Sequence, residues 1–286
     1  MMKESNKIFK YLCTIPITFY SLLLIFLPIV YILFLSFCEN DAYGGIIYNF
    51  TLKNYLMIFD PTYIRIMFKS FLIGIISTFL CICISYPFAL ILRTRSEKVK
   101  NLMTKLIMVP FLTNSLIRTY GWIVLLRRSG VINSGLLLLG LIKSPLSLMY
   151  NNLGIVIGMT YTLLPFMLLP VCSAVFKIDN SHIEAARDLG ANKYQVFKYV
   201  VLPETKAGVF NGSLMVFIPA IGYFFISDIL GGGKAMIIGN LIKNQFLVAR
   251  NWPFGAAISI FLILITFLLV KIYKAFGGNL DELGGM

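Results

Sequence analysis

The stretch IEAARDLGANKYQVFKYVVLPE, residues 183–204, carries three acids and three bases in 22 positions of a chain otherwise dominated by apolar runs. Just upstream, Ser181-His182-Ile183-Glu184 has the S-x-x-E form of a capping box, in which side chains satisfy the free amides at a helix start. Gly190 stands where a left-handed glycine would end that helix. Asn192 can cap a second helix running to about Val201, with Pro203 expected to stop it before Glu204. Ile183, Ala186 and Leu189 recur at helical spacing, as do Tyr194, Phe197 and Val200 or Val201, so each helix is expected to bury one face and leave a charged one open. On pattern alone the pair fits either an amphipathic loop resting against a membrane or a docking surface for a protein.

The surrounding sequence decides what kind of chain holds this segment. Of its 286 residues 58% are hydrophobic and 13% charged, and the mean hydropathy is +0.85, values outside the range of soluble domains. Uncharged runs cover 11–38, 70–92, 144–176, 207–227 and 251–270, and a sixth stretch over 106–126 is interrupted only by Arg118. A helix needs roughly 20 apolar residues to cross a bilayer. The reading is therefore an all-α, polytopic membrane protein forming a single transmembrane domain over 1–286. Its six transmembrane helices lie at about 11–38, 70–92, 106–126, 150–176, 207–229 and 251–272, with the polar segment inside a loop at 177–206. Continuous apolar runs exclude the alternating pattern of a barrel. The first run is too long for a signal core and lacks an A-x-A site before Glu39, so it reads as an uncleaved anchor.

With both termini cytoplasmic, 15 of the 25 Lys and Arg lie at the ends and in the second and fourth loops, the bias that sets orientation. The terminal contributors are Lys3, Lys7, Lys10, Lys271 and Lys274. The formal charge of +13 then reflects topology and anionic lipid and argues against nucleic acid. The five cysteines (Cys13, Cys38, Cys81, Cys83, Cys172) lie in or at the edges of spans without C-x-x-C spacing, as small buried apolar residues do. Between the first two spans, LKNYLMIF (52–59) reads as a short amphipathic piece, and SGVINSGLLLLGLIKSP (129–145) as a short helix between turns. Pro16, Pro28, Pro87, Pro165, Pro170 and Pro219 fall within spans, where they bend helices and free carbonyls.

Catalytic residues are not indicated. The single His182 lies on a loop, and no H-E-x-x-H, G-x-S-x-G or acid pair within a span occurs, so neither a metal site nor an enzyme is expected. GGGKAM (231–236) departs twice from a phosphate-binding loop, at Asp228 and at Ala235.

Glu184-Ala185-Ala186, three residues, Gly190, nine residues, Val200, one residue, and Leu202-Pro203 resemble the cytoplasmic signature of ATP-binding-cassette importer permeases, with Val in the usual Ile position. NSLIRTYGW (114–122), LLPFMLLP (163–170) and ISDILGGGKAMIIGNLIKNQFLVARNWPFGAA (226–257) are similar to the spermidine/putrescine permeases of that class, so the resemblance spans most of the chain. It implies the fold of a type I importer permease in the cell membrane. Residues 177–206 would be the coupling loop, in which Glu184, Ala185, Ala186, Gly190, Leu202 and Pro203 meet a dimeric ATPase. That partner, and not this chain, would use ATP and magnesium. A second homologous permease and an extracytoplasmic solute-binding protein are implied as further partners, the latter meeting outer loops with Glu39, Asp41, Asp60 and Lys243. Glu184 can serve either a charge-assisted pairing with the ATPase or its own helix cap.

A polycation calls for carboxylates and ring faces. The candidates are Asp228, Tyr223 and Phe224 near one span end, with Tyr161 and Trp122 in others. Asp228 fits either substrate contact or a solvated interface. Arg118 would repel a polycation and fits a structural pairing or helix-end role. The alternatives are an importer permease for another small solute, and an ion-coupled secondary transporter, which would need ionisable residues at mid-membrane that the spans scarcely have.

Overall fold

The computed structural model describes residues 14–275 apart from Ala42 and Lys234. Lys3, Lys7, Lys10, Cys13, Lys234, the side chain of Lys274 and residues 11–13 of the first expected span lie outside the described residues. In chain order the helices are α1 (Thr14–Leu35), α2 (Lys53–Ile58), α3 (Pro61–Arg93), α4 (Glu97–Met108), α5 (Ser115–Leu126), α6 (Val131–Leu138), α7 (Asn152–Phe176), α8 (Asn180–Asp188), α9 (Lys193–Gly222), α10 (Phe224–Gly231), α11 (Ile238–Leu247) and α12 (Trp252–Ala275). A short antiparallel hairpin pairs β1 (Glu39–Asn40) with β2 (Ile46–Ile47), Glu39 opposite Ile47. The described residues form two compact units: one runs to Tyr63 and takes in Ile242–Ile265, and the other is Ile64–Leu241 with residues from Thr266 onward.

In the first unit, α1 is apolar throughout and exposed along nearly its whole length, so its side chains face whatever surrounds the chain. Only its C-terminal end is covered, where Leu35 and Cys38 pack with Ala256 among Ile32, Ile46 and Phe246. Asn54 donates to the carbonyls of Ser36 (3.0 Å) and Cys38 (2.8 Å), two of the acceptors that a helix end leaves open.

The second unit is built around α7. Ile155, Met159, Leu163, Met167, Val171 and Val175 recur at every fourth position, and each is wholly buried. A matching line of small residues on α9, at Gly208, Gly212, Val216 and Ala220, is buried as well. Gly208 and Gly212 let the two backbones approach closely: a Cβ on Gly208 would lie 2.4 Å from the Ala174 Cβ and 2.7 Å from the Pro170 carbonyl oxygen. Gly158 of α7 does the same for α10, where a Cβ would lie 2.4 Å from Leu230 Cδ1. Packing over small residues is how helices associate when lipid offers no hydrophobic contrast.

The span boundaries differ from the expected ones in three places. The stretch 70–92 lies within α3, whose 33 residues begin at Pro61; Arg65 and Lys69 hid its start, since a helix can project beyond the hydrocarbon and carry charge there. The expected span 106–126 is broken between Met108 and Ser115 by a 3₁₀ turn at Val109–Leu112 and by Asn114, whose side chain accepts from the Leu116 amide at 2.8 Å. Pro110 lacks the amide that would continue α4. The expected span 207–229 is bent by 63° at Tyr223, between α9 and α10. Among the described residues, four helices are therefore long and apolar enough to cross a membrane, or five if the bent pair counts as one span. Of the expected buried cysteines, Cys38, Cys81 and Cys172 are buried and Cys83 is exposed.

Substituting Gly208 by Val should destabilise the helix pair by about 1–3 kcal/mol through overpacking, read as a lower Tm in detergent. Gly121, whose Cβ would meet nothing within 4 Å, is the control: its change to Ala should leave Tm unchanged or raise it.

Candidate functional site

The 177–206 segment is a compact, double-capped unit. Asp179, not Ser181, caps α8, accepting from the Ser181 amide at 3.0 Å. The expected Ser181–Glu184 box does not form, because Ser181 already lies in the first turn; a carboxylate at the cap also meets the positive end of the helix dipole. The donated amide holds the Asp179 carboxyl below its ordinary range, and His182 adds to the effect. At the other end Gly190 takes φ +83°. The Ala191 amide donates to the Ala186 carbonyl (3.0 Å) and the Gly190 amide to that of Arg187 (2.8 Å), the paired bonds of a Schellman turn. Asn192 and Gln195 then cap α9 reciprocally, at 2.9 and 2.8 Å.

The stop expected at Pro203 does not occur: α9 continues to Gly222 through a π-helical turn at Phe197–Val201. Proline lacks an amide and crowds the preceding turn, and the wider π turn accommodates it without ending the helix. The Thr205 hydroxyl donates to the Val201 carbonyl at 2.8 Å just beyond.

Ile183, Val196 and Val201 are buried, with Ala186, Phe197 and Val200 packed against the same core. Leu189 and Tyr194, expected on the buried faces, are 89% and 69% exposed. Leu189 caps the turn at Gly190 and Tyr194 sits in the first turn of α9, so both fall outside the stretch that rests on the core. Glu184, Ala185, Gly190, Leu202 and Pro203 are exposed and Ala186 is half-buried. Among the described residues the Glu184 side chain makes no hydrogen bond or ion pair, so its carboxylate is not spent on a cap.

Sequence reasoning missed the ties that hold this unit to the spans. Arg93, at the end of α3, donates to the Ile178 carbonyl (3.0 Å) and to Asn180 Oδ1 (2.7 Å). Tyr86 of α3 shares a buried hydrogen bond with Thr205 and sets its ring edge-on to Phe197 at 5.7 Å. His182 Nδ1 lies 2.7 Å from Glu204 Oε1, joining the start of α8 to α9. No sequence pattern announces these partners, which lie 22 to 119 positions apart.

The expected pathway residues fall into two groups. At the bend, Tyr223 and Phe224 each pack on Phe225, at 5.2 and 6.3 Å. Gly239 lies so close to the Gly222 carbonyl that any Cβ would collide with it. Asp228 is half-buried and accepts from Asn240 Nδ2 at 2.6 Å, while the same amide group donates to the Phe224 carbonyl. Asn240 thus ties Asp228 to the bend, a partner that the sequence did not signal.

Trp122 and Tyr161 form the second group, edge to face at 5.2 Å, with Phe111 5.8 Å from Tyr161. The Arg118 guanidinium lies 4.3 Å from the Phe111 ring centre and 5.9 Å from that of Tyr161. A charge at the centre of a membrane helix costs about 2.5–3.5 kcal/mol on insertion scales, and a ring face returns about 0.5–2 kcal/mol. Among the described residues no ion pair to Arg118 is found, and it lies in the first turn of α5, the helix-end position that was the other expectation. No group of three potential metal ligands gathers among the described residues.

The family of binding-protein-dependent transport system inner membrane components matches residues 6–282. The spermidine/putrescine transport system permease protein PotB of Haemophilus influenzae is 39% identical over 272 residues, covering 95% of both chains. Its namesake in Escherichia coli is 42% identical over 259 residues, covering 91% of this chain and 94% of its own. The fold is shared with a chain of a bacterial ABC transporter involved in the import of the acidic polysaccharide alginate, at a TM-score of 0.76 and 15% identity over 96% of each chain. A chain of the MetNI methionine ABC transporter covers 74% of this chain and 93% of its own at a TM-score of 0.56 and 18% identity. With its buried α7–α9 pair, its exposed capped unit and a family match over nearly its whole length, the chain belongs to the inner membrane components of binding-protein-dependent transport systems.

Proposed function

We propose that the chain is the permease subunit of an ATP-driven ABC importer and that it carries polyamines, spermidine and putrescine, into the cytoplasm by alternating access. The observation that carries the coupling role is the exposed Glu184-Ala185 pair, with Ala186 turned toward the core, on a unit capped at both ends and continuous with a long membrane helix. The solute class rests on the names of relatives about 40% identical over almost the full length.

In this reading both termini and the 177–206 unit are cytoplasmic. Glu184, Ala185, Ala186, Gly190, Leu202 and Pro203 meet a dimeric ATPase, and the exposed Leu189 and Tyr194 add apolar contact. The unpaired Glu184 carboxylate is placed for a charge-assisted bond to a basic residue there. The partner binds and hydrolyses ATP with magnesium; this chain supplies none of that chemistry. Closure of the ATPase displaces α8 and, through the Schellman turn, α9. Since α9 is continuous from Lys193 to Gly222, the displacement arrives at the bend carrying Tyr223, Phe224 and Asp228. A second, homologous permease faces these residues together with Tyr161 and Trp122 across the pathway, and an extracytoplasmic binding protein delivers the solute. A solved relative of the fold, the alginate transporter, is in complex with such a periplasmic protein, which supports that partner class.

Replacing Gly190 by Val should uncouple ATP hydrolysis from uptake while insertion is retained. Its Cβ would meet nothing within 4 Å, so the effect comes from the left-handed φ, about 1–2 kcal/mol for an L residue; unchanged transport would remove the coupling role. The Asp179 cap carries a sign for pH: its depressed pKa makes the cap stabilising above the unfolded value near 4 and weaker as pH falls through the lower folded value. Exchange protection of the Ser181 to Glu184 amides, corrected for intrinsic rate, should drop in Asp179→Ala at neutral pH and converge with wild type in acid. Vesicles holding the whole transporter should take up labelled spermidine or putrescine; uptake of an unrelated anion alone would overturn the polyamine reading.

A further inference from the structure

A guanidinium that serves architecture is normally fixed by hydrogen bonds, because it has five donors in a rigid fork. Arg118 departs from that rule. Its Nε and Nη1 are buried and have no hydrogen-bond partner among the described residues, and the contacts described for its charge are the faces of Phe111 and Tyr161. The site lies where the expected span is broken, with Phe111 on the 3₁₀ turn before α5 and Arg118 in the first turns of α5. Phe111, Tyr161 and Trp122 form one cluster of rings, each half-buried. Broken helices at membrane depth are where irregular backbone lines a cavity.

We propose that Phe111, Tyr161 and Trp122 form a cation-binding box and that Arg118 fills it as a tethered stand-in when no substrate is present. A primary ammonium or a protonated amine of a polycation takes the same ring faces and displaces the guanidinium, and the two charges cannot share the box. Because ring contacts are what hold Arg118, its departure breaks no hydrogen bond, and its freed donors reach water or polar groups in the opened pathway. Arg118 thus acts as a competitor set to leave, and its tether fixes how strongly a solute cation must bind to enter. The inference rests on the polyamine reading and assigns that reading a residue-level site with a built-in threshold.

The complete transporter in vesicles tests it by the dependence of uptake on the concentration of spermidine-loaded binding protein, so that KM reports the transfer into this chain and not the loading of its partner. Wild type is measured first: if it carries no polyamine, the polyamine reading fails at that arm, before any variant is compared. Arg118→Met, which keeps length and removes the competing charge, should lower KM about three- to tenfold, the scale of one or two ring contacts. Arg118→Lys, which restores a cation, should return KM toward wild type. Phe111→Leu, which removes a ring face and leaves Arg118 in place, should raise KM. If Arg118→Met does not assemble, the Lys and Leu variants decide. An unchanged or raised KM in Arg118→Met, or a KM insensitive to Phe111→Leu, overturns the stand-in role. Loss of uptake in Arg118→Met that Lys restores also overturns it and assigns Arg118 to a fixed ion pair with another subunit.

Discussion

Close contact between α9 and α7, made at Gly208 and Gly212 against Pro170, Ala174 and Met167, is the interaction on which the larger unit depends. In lipid the contrast that drives a soluble core is missing, and helices hold together by dispersion over closely fitting surfaces. The wholly buried line from Ile155 to Val175 supplies one surface, and the small residues of α9 let the other approach it. Once this pair is fixed, α10 is placed by Gly158 and by the bend at Tyr223, and the Arg118 cluster gathers where Tyr161 of α7 meets the turn before α5.

The proposed function draws on the same contact because α9 is shared. Its first residues belong to the capped unit and its last lead into the bend, so a single helix joins the two regions to which that proposal gives the motor contact and the solute contact. Thirty residues at about 1.5 Å each make a rod of roughly 45 Å, longer than the hydrocarbon core. The π turn before Pro203 is the point where such a rod could give way. Tyr86 braces that point through Thr205 and Phe197, and Arg93 fastens the start of α8 to the same helix α3. These ties make the 177–206 unit an extension of two membrane helices, with the Glu184 face as its free side.

Much of this was legible in the sequence for identifiable reasons. Gly190 and Asn192 were readable because a helix end has few chemical solutions. The apolar runs were readable because hydrocarbon admits little else. The breaks were not, although Pro110, Asn114 and Pro219 stood in plain view, because hydropathy continues unbroken through a bent helix. Asp179 outcompeted Ser181 as cap through its charge, and periodicity placed Leu189 inside when the turn at Gly190 leaves it outside. The Gly208-x-x-x-Gly212 spacing was available and marks the α7 contact. The partners of Asp228, Arg93 and Tyr86 carry no local signal, since tertiary hydrogen bonds between single residues leave no period.

Whether α9 moves as a rigid rod can be measured as a distance. Spin labels at Lys193 and Phe210, both exposed and both on α9, in the whole transporter would report the length of the rod across the π turn. A rigid α9 keeps one unchanged distance in the nucleotide-free and ATP-trapped states, while a label pair from Lys193 to a site on the opposing permease shifts. A shift of a helical turn or more between Lys193 and Phe210 would show that α9 bends at Phe197–Val201 and does not carry motion as a rigid rod.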